Sequence, residues 1–521
     1  MKLYIAEKPS MAAELAKCLP GPHKRREGFI VTGDGIVTWA FGHILRQAEP
    51  GEYDEKYLKW RSEDLPIIPA TWSMLHVDSS RKQFDIISDL WAKASEIIHA
   101  GDPDREGQLL IDEILDYLGN TKTVHRVLLN ALDESSIKKA LTRLQDNSRF
   151  FNLKQSALAR ARADWLIGMN LSRAYTLAAR RAGHRTVLAI GRVKTPTLAL
   201  VVRRERELDA FTPCEYYMIK ANYEHANGKF SAYWKPAEGQ SGLDSEGRLS
   251  DKKTAKEIVD KLKAQPQGMI GSTETTEKRD GAPLPLSLSA LQVLAGKKFG
   301  YAPQLVLDTA QVLYERKLTT YPRSDCTFLP ESQFEEAAPI LTNLLQINQT
   351  ELSNWAAGAD KSIRSRAWND KKITAHHAII PTTVPCPYTK LTAEQRNIYF
   401  LIARAYIAQF YPPHVYEQTR IEVHHEHELL VANGRVVIDM GWKSLYTADD
   451  KDDTKDEDGI LPPVKADDSV RLTEIKADKK ATKPPVRFTA ASLIAAMKDI
   501  HKYVKNEELK QTLKDVSGIG T

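Results

Sequence analysis

Apolar positions along this chain fall into short unbroken runs, helical repeats and strict alternations, and these predict strands and helices in turn. At the amino terminus Met1-Lys2-Leu3-Tyr4-Ile5-Ala6 predicts a buried strand, followed by a helix over Met11-Ala12-Ala13-Glu14-Leu15-Ala16 with Pro9 suited to its first turn. The same succession recurs when Ser95-Glu96-Ile97-Ile98-His99-Ala100, a short apolar run, gives way to the amphipathic pattern Gln108-Leu109-Leu110-Ile111-Asp112-Glu113-Ile114-Leu115. A long alanine-rich helix is predicted from Ser156 to Arg185, after which Thr195 is expected to cap a helix whose first turn holds Pro196. Residues 213–275 turn to strands, with Tyr216–Ala221 and Phe230–Trp234 as examples, and the polar, glycine-bearing insert at 238–253 predicts a mobile loop. Residues 283–411 read as mainly helical, and 414–446 return to strand alternation.

Three clusters on this framework carry chemistry. In Tyr321-Pro322-Arg323-Ser324-Asp325-Cys326 the proline favours extended backbone before it, so Tyr321 and Arg323 are expected to share a face. A phenol can form a covalent intermediate, and a guanidinium beside it can grip a phosphate. An ordinary buried aromatic is the competing reading, because the chain has 19 tyrosines. In Gly101-Asp102-Pro103-Asp104-Arg105-Glu106-Gly107 three acids lie in a strand-to-helix turn, where they can converge on a hard cation such as Mg²⁺ or simply complement a helix dipole. Glu7 and Lys8 follow the first strand in the same way, and a carboxyl group among other carboxylates becomes a general acid.

Composition narrows the classes. The 521 residues, 42% hydrophobic, suffice for about three or four domains. A net charge of +5 excludes a uniformly basic surface, so a nucleic-acid site must come from local clustering. No stretch reads as a membrane span or signal peptide, and the chain reads as soluble and intracellular. Four scattered cysteines predict neither a disulfide framework nor a cysteine zinc ribbon. His424, His425 and His427 alternate between strand faces, which argues against zinc there. The acidic run Asp449–Asp458 predicts a solvated loop. Arg160, Arg173, Arg192 and Lys194 form the best basic track for a single strand, with phosphate-binding N–H groups expected at the helix opened by Thr195.

Taken in order, Ala6-Glu7-Lys8-Pro9-Ser10, Gly101–Gln108, Tyr321–Cys326 and Ala375-His376-His377-Ala378-Ile379-Ile380-Pro381-Thr382 resemble the motifs of type IA DNA topoisomerases, and Gln108 with Pro322 favours the bacterial topoisomerase III branch. The resemblance implies a multidomain α/β and α+β toroid: a TOPRIM (Rossmann-like) domain at 1–150, a strand-binding domain at 151–212 and 481–521, a β-rich arch at 213–278 and 412–480, and a helical domain carrying the tyrosine at 279–411. It implies that Tyr321 is the nucleophile, that Arg323 positions the scissile phosphate, that Glu7 and Lys8 assist departure of the 3′ oxygen, and that His376 lies near the reaction. Asp102, Asp104 and Glu106, with Glu7, would hold one or two Mg²⁺ ions. Strand contacts are expected from Arg160, Arg173, Arg192, Lys194, Thr195, Gln292, Ser324 and Asp325.

The implied reaction is cleavage of one DNA strand through a 5′-phosphotyrosyl ester, passage of another strand and resealing, which relaxes negative supercoils and decatenates DNA. No ATP is expected, in keeping with the lack of a P-loop motif, and no zinc. The resemblance further implies single-stranded DNA as partner, a RecQ-type helicase and a single-strand-binding protein as associates, a monomer, no membrane, and a cytoplasmic, nucleoid location. Two departures stand out. Ala189 and Lys194 occupy positions where many relatives carry serine and glutamine, which leaves base preference open, and the ending Ser517-Gly518-Ile519-Gly520-Thr521 reads as interrupted within a motif. A TOPRIM nuclease or primase-like enzyme and a non-catalytic single-strand-binding scaffold remain as rivals.

Overall fold

Leu3, Tyr4, Ile5 and Ala6 form a strand because every one of these side chains is buried, and a strand apolar on both faces belongs at the centre of a parallel sheet. In the computed structural model, which describes residues 1–373, 376–446, 459–515 and 518–519, this strand, β1 (Lys2–Ala6), takes that place. The other strands of its sheet are β2 (Lys24–Arg26), β3 (Phe29–Val31), β4 (Gly35–Trp39), β5 (Glu96–Ala100), β6 (Thr123–Arg126) and β7 (Gln145–Asp146). The seven run in the order β2-β3-β4-β1-β5-β6-β7. The four central strands β4, β1, β5 and β6 are parallel, and the edge pairings are antiparallel.

Helices cover both faces of the sheet. α1 (Pro9–Cys18) places Met11 and Leu15 against Tyr4, Ala6 and Ile98, while α2 (Arg81–Lys93) and α3 (Arg105–Tyr117) place Phe84, Ile87, Ile111 and Ile114 against Leu3, Ile5 and Ile97. Side chains alternate along β1, so consecutive residues feed two separate cores.

By its contacts the chain divides into two units, Met1–Leu200 with Leu284–Ile407 and Thr489–Thr521, and Val201–Pro283 with Ala408–Phe488. The first unit contains the sheet and the long helix α4 (Phe151–Arg181). It also contains α5 (Leu288–Phe299) and α6 (Pro303–Glu315). α5 is capped by Ser287, whose hydroxyl accepts from Ala290 N at 3.4 Å, and α6 opens on Pro303.

The second unit is a closed antiparallel barrel of six strands. They are β8 (Glu215–His225), β9 (Gly228–Lys235), β10 (Gln267–Asp280), β11 (His414–His425), β12 (Glu428–Asp439) and β13 (Ser469–Ala481), in the order β8-β9-β12-β11-β10-β13 with β13 closing on β8. Ile219, Tyr223, Phe230, Trp234, Ile421 and Leu430 face the barrel core.

Two expectations are corrected here. The stretch 213–275, read as strands with a polar insert, also contains a helix, Lys252–Ala264, whose Ala255, Ile258 and Leu262 pack into the barrel core. The insert read as a mobile loop is folded: Leu243 pairs with Leu249, and Asp244 accepts from the backbone of Glu246 and Arg248, each at 2.9 Å. Its glycines and acids serve a tight turn rather than freedom. The histidine alternation holds for His424, exposed, and His425, buried against Tyr223 Oη at 2.8 Å, whereas His427 lies in the turn past the strand and is exposed. The acidic run Asp449–Asp458 lies outside the described residues. Among the described residues, no helix is long and apolar enough to cross a membrane.

Candidate active site

The four parallel strands end at one edge of the sheet, where α/β folds collect their ligands. β1 delivers Glu7 and Lys8, β5 delivers the turn Gly101–Asp104, β4 leads to Gly42 and His43, and β6 leads to Asn130. Contacts join these deliveries. Glu7 Oε2 accepts from Asp102 N at 3.0 Å, Lys8 Nζ lies 3.1 Å from Asp102 Oδ2, and Gly42 N donates to Glu7 O at 3.4 Å.

The acidic turn keeps its shape for two reasons. Gly101 and Gly107 lie back to back: a Cβ on Gly107 would come within 2.6 Å of Asp102 N, and one on Gly101 within 2.3 Å of Gly107 O. Arg126, fully buried, then ties the turn from beneath. Its guanidinium donates to Gly101 O at 2.9 Å, Asp102 O at 2.7 Å and Val127 O at 2.7 Å, and its Nε donates to Gln108 Oε1 at 2.8 Å. Gln108 in turn donates to Asp112 Oδ2 at 2.9 Å and Asn147 Oδ1 at 2.8 Å. Burial pulls the Arg126 guanidinium down to about 10, and the acids Asp112 and Asp102 oppose that shift.

Asp104 has two tasks. It caps α3, with Oδ1 accepting from Gly107 N at 2.7 Å, and its Oδ2 accepts from the hydroxyl of Tyr321 at 2.8 Å. Tyr321 itself is only 2% exposed, packed edge-on to Tyr314 and His376 with ring centres 5.6 and 6.2 Å away. Its segment is laced to the stretch 378–382: Thr320 N donates to Ile380 O at 2.9 Å, Ile380 N to Thr320 Oγ1 at 3.0 Å, and Thr382 N to Leu318 O at 3.2 Å. Further contacts tie these residues to the sheet and its helices, beside the Tyr321–Asp104 bond and the packing of Tyr314 and Tyr321 into the core of Tyr4, Ala6, Met11 and Ile98. They are Tyr321 N to Asn130 O at 2.9 Å, Tyr314 Oη to Leu129 O at 3.4 Å, and ion pairs Lys317–Glu14 and Lys139–Glu336.

Burial and charge shift the titrations. Burial, then the Asp102 carboxylate, push Glu7 up to about 7. Burial raises Asp102 as well, with Lys8 pulling it back. Tyr321 is held well above the usual phenol range by burial first and by Asp102, Asp104 and Glu7 after it. A free phenolate is therefore disfavoured.

Several expectations change. The chain bends at Pro322 and Arg323, so the shared face does not form: Tyr321 is buried and Arg323 is exposed. Glu106 stands apart from Asp102, its side chain 50% exposed beside Arg105. Arg173 is 6% exposed, donates to Tyr57 O at 2.8 Å and stacks over Trp60, so it serves packing rather than an open track. Gln292 is buried and donates to Pro303 O at 3.0 Å, and buried Ser324 accepts from Cys326 N at 3.1 Å, so neither presents its polar atoms to a strand. Thr195 is no cap. The helix Lys194–Asp209 starts one residue earlier, and Thr195 Oγ1 accepts from Gly191 N at 3.1 Å.

Other groups are better presented. Lys194 is exposed, and Arg160 has Arg105 and Arg192 as its nearest cationic neighbours, forming a guanidinium cluster that depresses Arg160 in addition to burial. Arg192 is partly engaged by Asp164 at 2.9 Å and by Ile519 O at 3.1 Å. Asp325 is 65% exposed, with His376 Nε2 3.1 Å from its Oδ1, and that contact holds the carboxyl below the usual range. His376 Nδ1 is buried with no hydrogen-bond partner among the described residues.

For a divalent cation the donors fit in kind. Glu7, Asp102 and Asp104 supply hard oxygens, and Asp102 Oδ1 is buried with no hydrogen-bond partner among the described residues. Among the described residues no three acidic, histidine or cysteine side chains are gathered as a cage, since Lys8 holds Asp102 Oδ2 and Tyr321 holds Asp104 Oδ2.

Sequence reasoning missed His43, Glu113, Arg126 and Asn130. His43 Nδ1 lies 2.7 Å from Glu113 Oε1, which raises the imidazole. The one advance signal was their position just past strand ends or on the helix that follows.

Comparisons with known proteins agree with this geometry. The family model "DNA topoisomerase" matches residues 148–521, and the Toprim domain model matches residues 2–132. DNA topoisomerase 3 of Vibrio cholerae is 42% identical over 532 residues, covering 100% of this chain and 82% of the relative. DNA topoisomerase 3 of Bacillus subtilis is 33% identical over 530 residues, covering 100% of this chain and 70% of the relative. Full-length topoisomerase I from Thermotoga maritima superposes with a TM-score of 0.65 at 21% identity, over 99% of this chain and 78% of that one, a likeness of fold.

Proposed function

Because the chain belongs to the type IA DNA topoisomerases, in their topoisomerase 3 branch, we propose that Tyr321 is its nucleophile and that Asp104, Glu7, Lys8 and Arg323 carry the transfer. The observation that carries this reading is the 2.8 Å hydrogen bond from the Tyr321 hydroxyl to Asp104 Oδ2. Tyr321 Oη attacks phosphorus as its proton passes to Asp104. The Oη–P bond forms and the P–O3′ bond breaks, leaving a 5′-phosphotyrosyl ester. Glu7, pushed up to about 7, is protonated often enough at neutral pH to hand a proton to the departing 3′ oxygen. Lys8 and exposed Arg323 neutralise the phosphate oxygens, and His376 backs the exposed Asp325 beside them, its Nε2 3.1 Å from Oδ1.

Religation runs the same proton transfers backward, Glu7 taking the 3′ hydroxyl proton and Asp104 returning one to the phenol. The ester conserves the broken bond, so no ATP is spent. Asp102 and Asp104, with Glu106 nearby in sequence and Glu7 when it is ionised, would hold Mg²⁺, which when bound supplies positive charge to the phosphate. The cut strand runs along Arg160, Arg192 and Lys194, ahead of passage of a second strand, relaxation and decatenation. Working as a monomer rests on family likeness. A RecQ-type helicase and a single-strand-binding protein as associates, and a cytoplasmic nucleoid location, rest on family likeness.

The test mixes the protein with 3′-labelled single-stranded DNA and quenches with detergent. Label carried by the wild-type chain and absent from Tyr321→Phe is the expected result. Free cleaved DNA from both proteins would indicate a nuclease, and intact DNA from both a binding scaffold; either overturns the reading.

A further inference from the structure

The outer surface of the barrel carries a groove of roughly 930 Å³ that the reaction leaves without a task. Strand alternation builds its floor. Ile219 and Tyr223 of β8 and Phe230 and Trp234 of β9 turn into the core, which leaves Tyr216, Lys220, Tyr233 and Lys235 on the other face. Lys220 and Tyr233 are cross-strand partners, with Nζ 5.8 Å from the ring centre. The folded turn at Asp244 forms one wall and sets the Arg248 guanidinium 5.7 Å from the ring centre of Tyr216.

Twenty residues line the groove; four are cationic and none carries a carboxylate. Lys229 and Arg248 are paired from outside it by Glu224 and Asp244, whereas Lys220 and Lys235 make no ion pair among the described residues. The ligand must therefore combine negative charge with flat apolar faces. The volume stands at the upper end of the ~300–1,000 Å³ of small-ligand pockets, and the groove is open, which suits a length of polymer. Duplex DNA hides its base faces and would leave the tyrosines idle.

We propose that this groove binds a single strand of DNA, with bases stacked on Tyr216 and Tyr233 and phosphates on Lys220 and Lys235. The choice of DNA rests on the family to which the chain belongs. Every residue that lines the groove belongs to the barrel unit, and none is among those gathered around Tyr321.

The experiment titrates Tyr321→Phe protein, which cannot cut, with a thymidine oligonucleotide of about eight residues, within the ~4–16 that one barrel accommodates. Calorimetry is expected to give two sites per chain. Adding Tyr216→Ala and Tyr233→Ala is expected to weaken one site about tenfold or more for each stack lost, while the surviving site reports a folded chain. Phenylalanine at both positions keeps the ring faces and should restore binding. A 5-iodouracil oligonucleotide should crosslink to the peptides containing Tyr216 and Tyr233. A single site in the parent, an alanine variant that binds as tightly, or crosslinks confined to residues outside the barrel would overturn the proposal. Failure of Tyr321 to form an adduct is read in the separate cleavage assay and leaves this titration standing.

Discussion

The Tyr321 hydroxyl donates to Asp104 Oδ2 at 2.8 Å across 217 residues of chain, while Asp104 Oδ1 caps the helix that follows the acidic turn. One oxygen of this carboxylate thus meets the phenol and the other holds the helix, and in the proposed reaction the first also takes the proton.

Those two tasks are separable by substitution. Asp104→Asn keeps an oxygen for the cap but cannot take the phenol proton, so adduct formation should slow by ~10²–10⁴ with the melting temperature unchanged. Asp104→Ala should show the same loss and a further ~1 kcal/mol of destabilisation from the missing cap. Rapid-quench adduct yields and thermal unfolding of the two variants check both halves.

Glu7 sets a pH limb. Its carboxyl is raised to about 7, so the acid needed by the 3′ oxygen is present below that pH and lost above it. Single-turnover cleavage should fall as pH rises through about 7, and Glu7→Gln should flatten that limb and slow cleavage throughout. The same shift gives a stability contribution present at low pH and lost through the same interval.

His377 provides the opposite sign. Buried and neutral, it is within hydrogen-bond distance of Ala378 O at 2.8 Å and of Gln333 Nε2 at 2.9 Å, and burial depresses it from 6.5 to about 4. The unfolded chain binds that proton more readily, so stability should decline as pH drops from 6.5 toward 4, by on the order of 3 kcal/mol in all. Urea midpoints of the wild type and His377→Gln should converge with acidification.

Gly107→Ala tests the back-to-back glycines. A methyl group within 2.6 Å of Asp102 N must displace the turn, so the variant should fold with ~1–3 kcal/mol less stability and lose more adduct than that predicts. Gly119→Ala, where a Cβ meets nothing within 4 Å, has only its φ of +64° against it and should keep cleavage. Denaturation midpoints with adduct yields separate the two.

What the sequence disclosed follows the range of the interactions involved. The strands that end at Glu7 and at Gly101, and the helices that follow them, announce themselves through local apolar runs and a proline or acidic start. Arg126 and Asn130 could not be read the same way, because their meaning lies in partners brought from elsewhere: an arginine under a turn and a carbonyl offered to Tyr321. Polar identity also misled at Arg173, Gln292 and Ser324, each buried and bonded within the fold, and at Arg323, where a bend replaced the extended geometry that Pro322 suggests. The helix Lys252–Ala264 escaped notice because its apolar residues fill a barrel whose strands are far apart in the chain.

The lacing of Thr320 to Ile380 and of Thr382 to Leu318 gives the Tyr321 segment a backing of its own, independent of its contacts to Asp104, Asn130, Leu129 and Glu14. Parting those contacts costs more than the ion pairs, which give ~0–1 kcal/mol each, because Tyr314 and Tyr321 leave a shared apolar core at about 1.5–3 kcal/mol for each large side chain exposed. Tension delivered through a captive strand would then tear the tyrosine away from the sheet together with its own backing residues, keeping its orientation for the return.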